Sequence, residues 1–206
     1  MISARHVIPA FLALVAFALP VAAQTPQSEY GTLLASLKGG STLIDYARLR
    51  LSYVDSPEYK KAKDVSKAEK AMSDALGAKN FREALKNAEI VLASEYVNMD
   101  AHFVAYVANR EMGAADKAEF HRTVFRGLVD SIIHSGDGKS AEKAWAVINV
   151  HEEYVVLRAL GFRPGEQSLL NKDGHAYDVM KVKNVDDGTE QTLYFNVDTP
   201  FKHYGF

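Results

Sequence analysis

The hydrophobic spacing of the chain changes at residues 135–162, and this change is the strongest constraint on the fold. Before it, apolar residues recur every three to four positions, which is the spacing of amphipathic helices. After it, short β-branched and aromatic segments alternate with glycine-containing turns, the pattern of strands. The stretch itself contains Gly136, Gly138 and Trp145, the single tryptophan. The pattern therefore predicts an α+β fold, with antiparallel helical hairpins followed by a small C-terminal antiparallel β-meander.

Turn and capping residues divide the first part of the chain into helices. Gly39-Gly40 should end the first helix, Ser41 or Thr42 should cap the second, and Ser56 with Pro57 should begin the third. The apolar side of the second helix should consist of Leu43, Ile44, Ala47, Leu51 and Val54. Later helices are expected over residues 81–92, 99–112 and 115–134. The third helix should bury Ala62, Val65, Ala68, Met72, Ala75 and Leu76, and the charged residues on its other faces are interpreted as solvated.

A repeat with a period of 34 residues relates Ala84 to Ala118. Each alanine follows a turn that should join two antiparallel helices, and a small residue there lets the helices cross closely. This period makes the helical half similar to tetratricopeptide repeats. The match is partial, because Phe81 of the first copy is replaced by Ala115 in the second and no proline closes either copy. Other packed helical hairpins can produce the same period by chance.

The C-terminal part should form the sheet. Residues 145–150 are apolar and β-branched enough for a buried strand. Residues 151–161 fit either a helix or a second strand, and Leu160-Gly161 favours the helix. Further strands are expected over residues 167–170, 177–185 and 191–197, with hairpin turns at residues 172–174 and 186–188.

The first residues have the composition of a secretory signal. Arg5 is followed by an apolar stretch at residues 7–21, and Val21-Ala22-Ala23 resembles a signal-peptidase site. We therefore expect a cleaved signal peptide at residues 1–23, a helical region at 24–134 and an α+β region at 135–206, with the two regions packed as one unit. The apolar stretch is short for a membrane span, so no stable membrane insertion is expected after cleavage.

Composition excludes several classes of function. The chain has no cysteine, so disulfides, a lipoprotein anchor and a cysteine nucleophile are excluded. The formal net charge of −2 provides no basic surface of the kind that binds nucleic acid. An exported, cysteine-free chain of this size is typical of a periplasmic or secreted bacterial protein.

No catalytic motif is complete. The Gly138-Lys139-Ser140 sequence lacks the earlier glycine of a phosphate-binding loop, since Ile133 occupies that position. The His151-Glu152-Glu153 sequence lacks the second histidine of a zinc-protease helix. These glutamates, with Glu166, are interpreted as solvated, and the histidines as exposed. The sequence therefore assigns no catalytic residue, metal ligand or cofactor, and it favours a protein that is not an enzyme.

Four stretches together resemble a known family: Leu49-Arg50-Leu51-Ser52-Tyr53, residues 135–140, Tyr177-Asp178-Val179-Met180 and Leu193-Tyr194-Phe195-Asn196. The resemblance is to secreted bacterial proteins grouped as domain-of-unknown-function family 4919. It implies a unit that covers most of the chain after residue 23 and an exported location. It implies no activity.

Two hypotheses about function follow. The first is a non-enzymatic periplasmic module that binds a protein or peptide through its helical hairpins. The alternative is a small hydrolase or ligand-binding protein whose site lies at the Ser135–Ser140 turn, where the helices meet the sheet. The candidate binding residues are Asp137 and Lys139 in that turn and Tyr177 and Asp178 in the strand that follows.

Overall fold

A computed structural model describes residues 28–204, without the side chains of the last two. The expected signal peptide lies outside the described residues. Within residues 28–204, no helix combines the length and the apolar character needed to cross a membrane.

Nine α-helices and four strands are described within this range. The helices are α1 (Glu29–Lys38), α2 (Tyr46–Tyr53), α3 (Pro57–Lys60), α4 (Ser66–Gly77), α5 (Phe81–Ser94), α6 (Met99–Glu111), α7 (Ala115–Ile133), α8 (Val150–Ala159) and α9 (Asp198–Tyr204). A short 3₁₀ turn lies at Ala141–Lys143. The strands are β1 (Trp145–Ala146), β2 (Phe162–Lys172), β3 (His175–Asn184) and β4 (Glu190–Asn196). The expected α+β class is confirmed.

Helices α4 to α7 form two helical hairpins with short turns, as the sequence predicts. Asn80 begins α5, where its side-chain oxygen accepts a hydrogen bond from the N–H of Glu83 at 3.3 Å. Ala84 and Ala118, the related alanines, are both buried. A side chain no larger than a methyl group at these positions allows neighbouring helices to approach closely.

The expected start of α2 is wrong. The helix begins at Tyr46 and not after Ser41 or Thr42, because the Asp45 side chain accepts a hydrogen bond from the N–H of Arg48 at 2.9 Å. The later start also changes the buried face. Leu43 is 95 % exposed and Leu51 is 46 % exposed, whereas the buried residues of α2 are Leu49, Arg50 and Tyr53.

The expected third helix is interrupted. Ser56 caps α3 and Pro57 takes its first position, as predicted, but α3 ends at Lys60 and α4 begins at Ser66. The intervening 61–65 segment is irregular and is bound to the end of α5. The N–H of Lys63 donates to Ser94 Oγ at 2.8 Å, and Ser94 Oγ donates to the carbonyl of Lys63 at 3.3 Å. One serine hydroxyl therefore holds the segment against α5.

The sheet has the strand order β1-β4-β3-β2. Strands β2, β3 and β4 form the expected antiparallel meander, and β1 adds a parallel pair with β4 through Trp145 and Phe195. The sheet is therefore mixed. The predicted strand at 145–150 ends at Ala146, because Asn149 already caps α8 by accepting from the N–H of Glu152. Residues 151–161 are mostly helix, the alternative that Leu160-Gly161 favoured.

Two apolar cores lie within the described fold. The smaller core lies among α4, α5 and α6 and includes Met72, Ala88 and Val91. The larger core combines residues from α1, α2, α7, α8 and the sheet, and therefore contains residues from both sides of position 135. Its largest fully buried apolar side chains include Tyr30, Leu128 and Phe195.

Candidate functional site

The predicted binding residues lie in separate surroundings. Asp137 and Lys139 are exposed, and Asp137 Oδ1 accepts a hydrogen bond from the N–H of Lys139 at 2.9 Å. Tyr177 and Asp178 are buried neighbours in β3, so their side chains point to opposite faces of the sheet. None of the contacts described between residues 28 and 204 joins the pair in the turn to the pair in the strand. Their assignment to one binding site stays a prediction.

The 136–140 turn supports the fold through its main chain. The carbonyl of Gly136 accepts from Trp145 Nε1 at 3.2 Å, and the carbonyl of Gly138 accepts from the N–H of Tyr194 at 2.8 Å. Gly138 has φ +68°, and a Cβ atom there would lie 2.9 Å from the Trp145 ring. Glycine is therefore needed at 138 both for the backbone conformation and for the approach of the tryptophan.

Arg50 and Glu152 form a buried ion pair, although the sequence predicts a solvated Glu152. Arg50 Nε donates to the two carboxylate oxygens of Glu152 at 3.0 and 3.2 Å, and both side chains are less than 5 % exposed. The remaining donors of Arg50 reach Ser131 Oγ at 2.9 Å and the carbonyl of Ala146 at 2.5 Å. The N–H of Ile148 donates to Glu152 at 2.9 Å. The network joins α2, α7, β1 and the start of α8.

Glu153 is also buried and not solvated as predicted, whereas Glu166 is exposed. Neither oxygen of Glu153 has a well-formed hydrogen bond to a described residue. Burial, followed by the nearby negative charge of Asp178, raises the pKa of Glu153 to about 9. At neutral pH the side chain is therefore an uncharged carboxylic acid. Because it lies inside the fold, its ionisation affects stability and not contact with a ligand.

Asp178, one of the predicted binding residues, is also buried and lies near Glu153. Gln167 Nε2 donates to Asp178 Oδ2 at 2.7 Å, and the Tyr154 hydroxyl donates to Gln167 Oε1 at 2.9 Å. Gln167 of β2 is thus an uncharged hydrogen-bond donor to the buried carboxylate of Asp178 in β3. These contacts give Asp178 a structural role between the helix and the sheet.

His102 is fully buried, which corrects the prediction of exposed histidines. Its Nε2 lies 2.9 Å from the carbonyl of Tyr96, and its Nδ1 lies 3.0 Å from His121 Nδ1. Since a carbonyl only accepts, His102 carries its proton on Nε2, and His121 therefore donates from Nδ1. Burial, with His121 as a second cause, lowers the pKa of His102 to about 3, and burial lowers that of His121 to about 4. Both rings are neutral near pH 7.

A third histidine lies at the surface. His151 Nε2 is 2.7 Å from Asp100 Oδ2, and Arg158 donates to the other oxygen of Asp100 at 2.7 Å. The hydrogen bond to Asp100 raises the pKa of His151. In the described part of the chain, no group of three or more histidine, cysteine, aspartate or glutamate side chains is placed to hold a metal ion.

A half-open pocket of about 480 Å³ lies between α1, the 61–65 segment and the end of α5. Its volume is in the range of small-ligand sites. We call it the tyrosine pocket, after the two tyrosines in its apolar wall, which is formed by Tyr30, Leu34, Ile90, Leu92 and Tyr96. Ile90 is 48 % exposed, so this wall presents apolar surface to solvent. An apolar surface in a concave site is where binding energy is available.

Lysines surround the tyrosine pocket. Lys38, Lys61 and Lys63 line it, together with two carboxylates, Glu58 and Asp64. Asp64 accepts a hydrogen bond from the N–H of Ser66 at 3.0 Å, which lowers its pKa and keeps it ionised. No ion pair among the described side chains involves any of the three lysines. The lining therefore combines three lysines with two carboxylates, a net charge of +1.

A neighbouring pocket of about 440 Å³ has the opposite charge. It shares Lys63, Asp64 and Val65 with the tyrosine pocket and is otherwise lined by residues that include Glu69, Glu95, Asn98, Asn149 and His151. Burial raises the pKa of Glu95. We call it the acidic pocket. The 61–65 segment thus borders a lysine-rich apolar pocket and an acidic polar one.

Sequence reasoning missed the tyrosine pocket. Its residues come from positions 30–38, 58–65 and 90–96, and their periodicity describes only the helix to which each belongs. The sequence predicts that Lys60, Lys61, Lys63 and Asp64 lie on solvated faces of the third helix, around the apolar position Ala62. A local signal for the pocket is the group of lysines that follows Pro57, because α3, which Pro57 begins, ends at Lys60.

Comparison with known proteins identifies a family but no characterised relative. Neither the curated proteins nor the solved structures gave a significant match. The similarity of the hairpins to tetratricopeptide repeats therefore stays a prediction. A family model described as a domain of unknown function, DUF4919, matches residues 24–205. The match covers most of the chain, including every element of the fold described above, and the chain therefore belongs to the DUF4919 family.

Proposed function

We propose that this protein is an exported, non-enzymatic module that binds a peptide segment of another protein in the tyrosine pocket. The observation that carries the proposal is the apolar wall of that pocket, where the exposed Ile90 and the half-buried Leu34 and Tyr96 lie beside the 61–65 segment. The ring of Tyr96 can give apolar contact to a bound side chain, whereas Tyr30 is buried and supports the wall from the core. Export is supported by the sequence of residues 1–23.

The titratable groups with the largest described shifts support binding over catalysis. Glu153 and His102 are fully buried, so neither is positioned to contact a substrate. Arg50 and Glu152 satisfy each other and neighbouring main-chain groups. These charged and polar groups stabilise the packing of helices on the sheet, whereas the accessible apolar surface lies elsewhere, at α1 and α5.

The test is capture of partners by crosslinking in cells, followed by mass spectrometry. The variant Ile90→Gln removes apolar surface from the pocket wall, and Leu51→Gln is the matched control, since Leu51 is a helical residue of nearly equal exposure outside the pocket. We expect the original protein and the control to capture the same protein in stoichiometric amount, and the Ile90 variant to lose it.

Two results would contradict the proposal. One is a partner that Ile90→Gln and the unaltered protein capture equally. The other is capture that is lost after Asp137→Ala with Lys139→Ala, which would move the site to the 135–140 turn and support a ligand-binding protein of the alternative kind.

A further inference from the structure

We infer that His102 and His121 are positioning residues for the tyrosine pocket, because together they fix the place of Tyr96 in its wall. The inference rests on the proposed function for what the wall does, and it adds the residues that hold the wall in place. It follows from two consecutive hydrogen bonds, which connect α7 to α6 and α6 to the segment that carries Tyr96. Neither histidine lines the pocket itself.

Tyr96 lies in the short 95–98 segment between α5 and α6 and is half-buried in the pocket wall. Its carbonyl accepts the hydrogen bond from His102 Nε2 at 2.9 Å, and its ring meets the His102 ring at 80°, with 5.1 Å between the two centres. The Tyr30 hydroxyl also accepts a hydrogen bond from the main chain of Tyr96. His102 therefore contacts both the main chain and the ring of Tyr96, whereas Tyr30 holds the main chain alone.

His102 can hold the carbonyl of Tyr96 in only one tautomer. Its proton must be on Nε2, so its Nδ1 must accept. His121 provides the matching donor, because its Nδ1 lies 3.0 Å from His102 Nδ1. Solvent cannot replace this donor, since His102 is fully buried. A side chain at position 121 that cannot donate would leave a buried acceptor unbonded, and the tautomer that bonds to Tyr96 would lose its support.

The charged groups of the surrounding elements determine how the pair responds to acid. They are Lys38 of α1, Glu69 of α4, Glu95 before α6, Asp100 of α6, Lys117 of α7, and His151 and Arg158 of α8. Lys117 acts on His121 and disfavours its protonated form. The three carboxylates interact with one another or with the cations of α8. A proton added to the pair therefore meets a positive neighbour.

The pair tolerates one added proton but not two. A proton on His121 Nε2 leaves its Nδ1–H group donating to His102. A second proton, on His102 Nδ1, places two N–H groups against each other across 3.0 Å. Burial, with His121 as a second cause, lowers the pKa of His102 to about 3. The contact is therefore intact at neutral pH, and we expect Tyr96 to be released only in acid.

The first experiment is nuclear magnetic resonance on the unaltered protein without a ligand. At pH 7, two-bond ¹H–¹⁵N spectra of the rings should show His102 protonated on Nε2 and His121 protonated on Nδ1. As the pH is lowered, the amide shift of Tyr96 and the nuclear Overhauser effect between its ring and Lys38 should change together with the His102 ring. Both changes should precede the change in Trp145 fluorescence that reports global unfolding.

Two results of that experiment would overturn the inference. One is the opposite tautomer at either histidine. The other is a Tyr96 that keeps its amide shift and its contact with Lys38 until Trp145 fluorescence reports unfolding of the whole protein.

Variants at position 121 test the donor itself. His121→Gln keeps an N–H donor without a titrating ring, whereas His121→Leu fills similar space without a donor. We expect amide hydrogen exchange at residues 96–98 to be about 5-fold faster in His121→Leu and little changed in His121→Gln. His134→Gln, at an exposed histidine after α7, is the control. Equal exchange in the two variants at position 121 would overturn the role of His121.

The crosslinking capture separates this inference from the proposed function. We expect His121→Leu to capture the partner more weakly than His121→Gln does. Equal capture by both, with the partner lost in Ile90→Gln, would overturn the positioning role and leave peptide binding intact. If the unaltered protein captures nothing, the proposed function is contradicted, while the spectra without a ligand still decide whether the pair positions Tyr96.

Discussion

Arg50 Nε lies 3.0 Å from Glu152 Oε1, in an ion pair that is almost completely removed from solvent. The two residues are 102 positions apart in the sequence and connect the second helix of the fold to the helix that precedes the meander. The chain thus uses a charged pair, and not only apolar contact, to join its helical part to its sheet.

Loss of one partner should strongly destabilise the fold, because the other charge would remain buried. We expect Arg50→Met to lower the free energy of unfolding by about 3–5 kcal/mol. Arg50→Met combined with Glu152→Leu should recover part of that loss. Urea denaturation followed by circular dichroism measures both. As a control, Lys70→Met breaks an exposed pair with Asp74 and should change little. If Arg50→Met and Lys70→Met lowered the free energy of unfolding equally, the buried pair would stabilise the fold no more than an exposed one does.

Glu153 should make the protein less stable as the pH rises. Its pKa is raised to about 9 in the folded protein, so the folded state retains a proton that the unfolded chain loses near its ordinary pKa of about 4.5. The contribution is therefore present below pH 4.5 and is lost progressively toward pH 9. We expect stability to fall by about 1 kcal/mol per pH unit between pH 6 and pH 8 from this group.

The variant Glu153→Gln keeps the shape without the ionisation and should flatten this pH dependence. Glu166→Gln, at an exposed carboxylate paired with Lys181, should leave it as it is. Urea denaturation at pH 6, 7 and 8 provides the comparison. A slope that is the same in both variants would mean that Glu153 does not stay protonated.

The pair His102–His121 should make the protein less stable as the pH falls into the acid range. Its pKa values are lowered to about 3 and about 4, below the ordinary value of about 6.5, so unfolding takes up protons. The stability that depends on neutral rings is present above pH 6.5 and is lost as the pH falls toward 4. Between pH 7 and pH 5 the loss should be on the order of 2 kcal/mol for each histidine, about 4 kcal/mol for the pair. His102→Gln should reduce this loss, and His134→Gln, at an exposed histidine, should not.

Two glycines in helices should respond oppositely to replacement by alanine. A Cβ atom at Gly127 would lie 2.4 Å from the Tyr46 ring, whereas none of the described atoms lies within 4 Å of a Cβ atom at Gly77. We expect Gly127→Ala to destabilise by about 1–3 kcal/mol, because the ring between α2 and α7 must move. Gly77→Ala should stabilise by roughly 0.5 kcal/mol. Thermal unfolding measures both, and a stabilising Gly127→Ala would show that Tyr46 does not pack there.

Local signals in the sequence predicted most of the elements correctly. Ser56 with Pro57, Gly39-Gly40 and Leu160-Gly161 mark helix ends because capping and left-handed turns depend on residue type at one position. The start of α2 was missed because Asp45 competes with two earlier residues that can cap equally well. Local chemistry does not decide between such neighbours.

Long-range pairing was not available from local patterns. The prediction of a solvated Glu152 is wrong because nothing near it in the sequence shows that Arg50, 102 positions earlier, neutralises its charge. The sequence predicts that Leu51 is buried. In the structure its neighbour Arg50 is the buried residue, and Leu51 is exposed. Asp178 is a predicted binding residue, but its burial near Glu153 depends on how α8 packs on the sheet. The tyrosine pocket likewise depends on three distant segments.

The most direct test of peptide binding in the tyrosine pocket is nuclear magnetic resonance on the uniformly ¹⁵N-labelled protein, titrated with the segment of the captured partner that is crosslinked to it. We expect the amide shifts to concentrate at Leu34, the 61–65 segment, Ile90 and Tyr96, and to saturate with one binding constant. Shifts that concentrate at residues 136–140, or no saturable shifts at any peptide concentration, would contradict it.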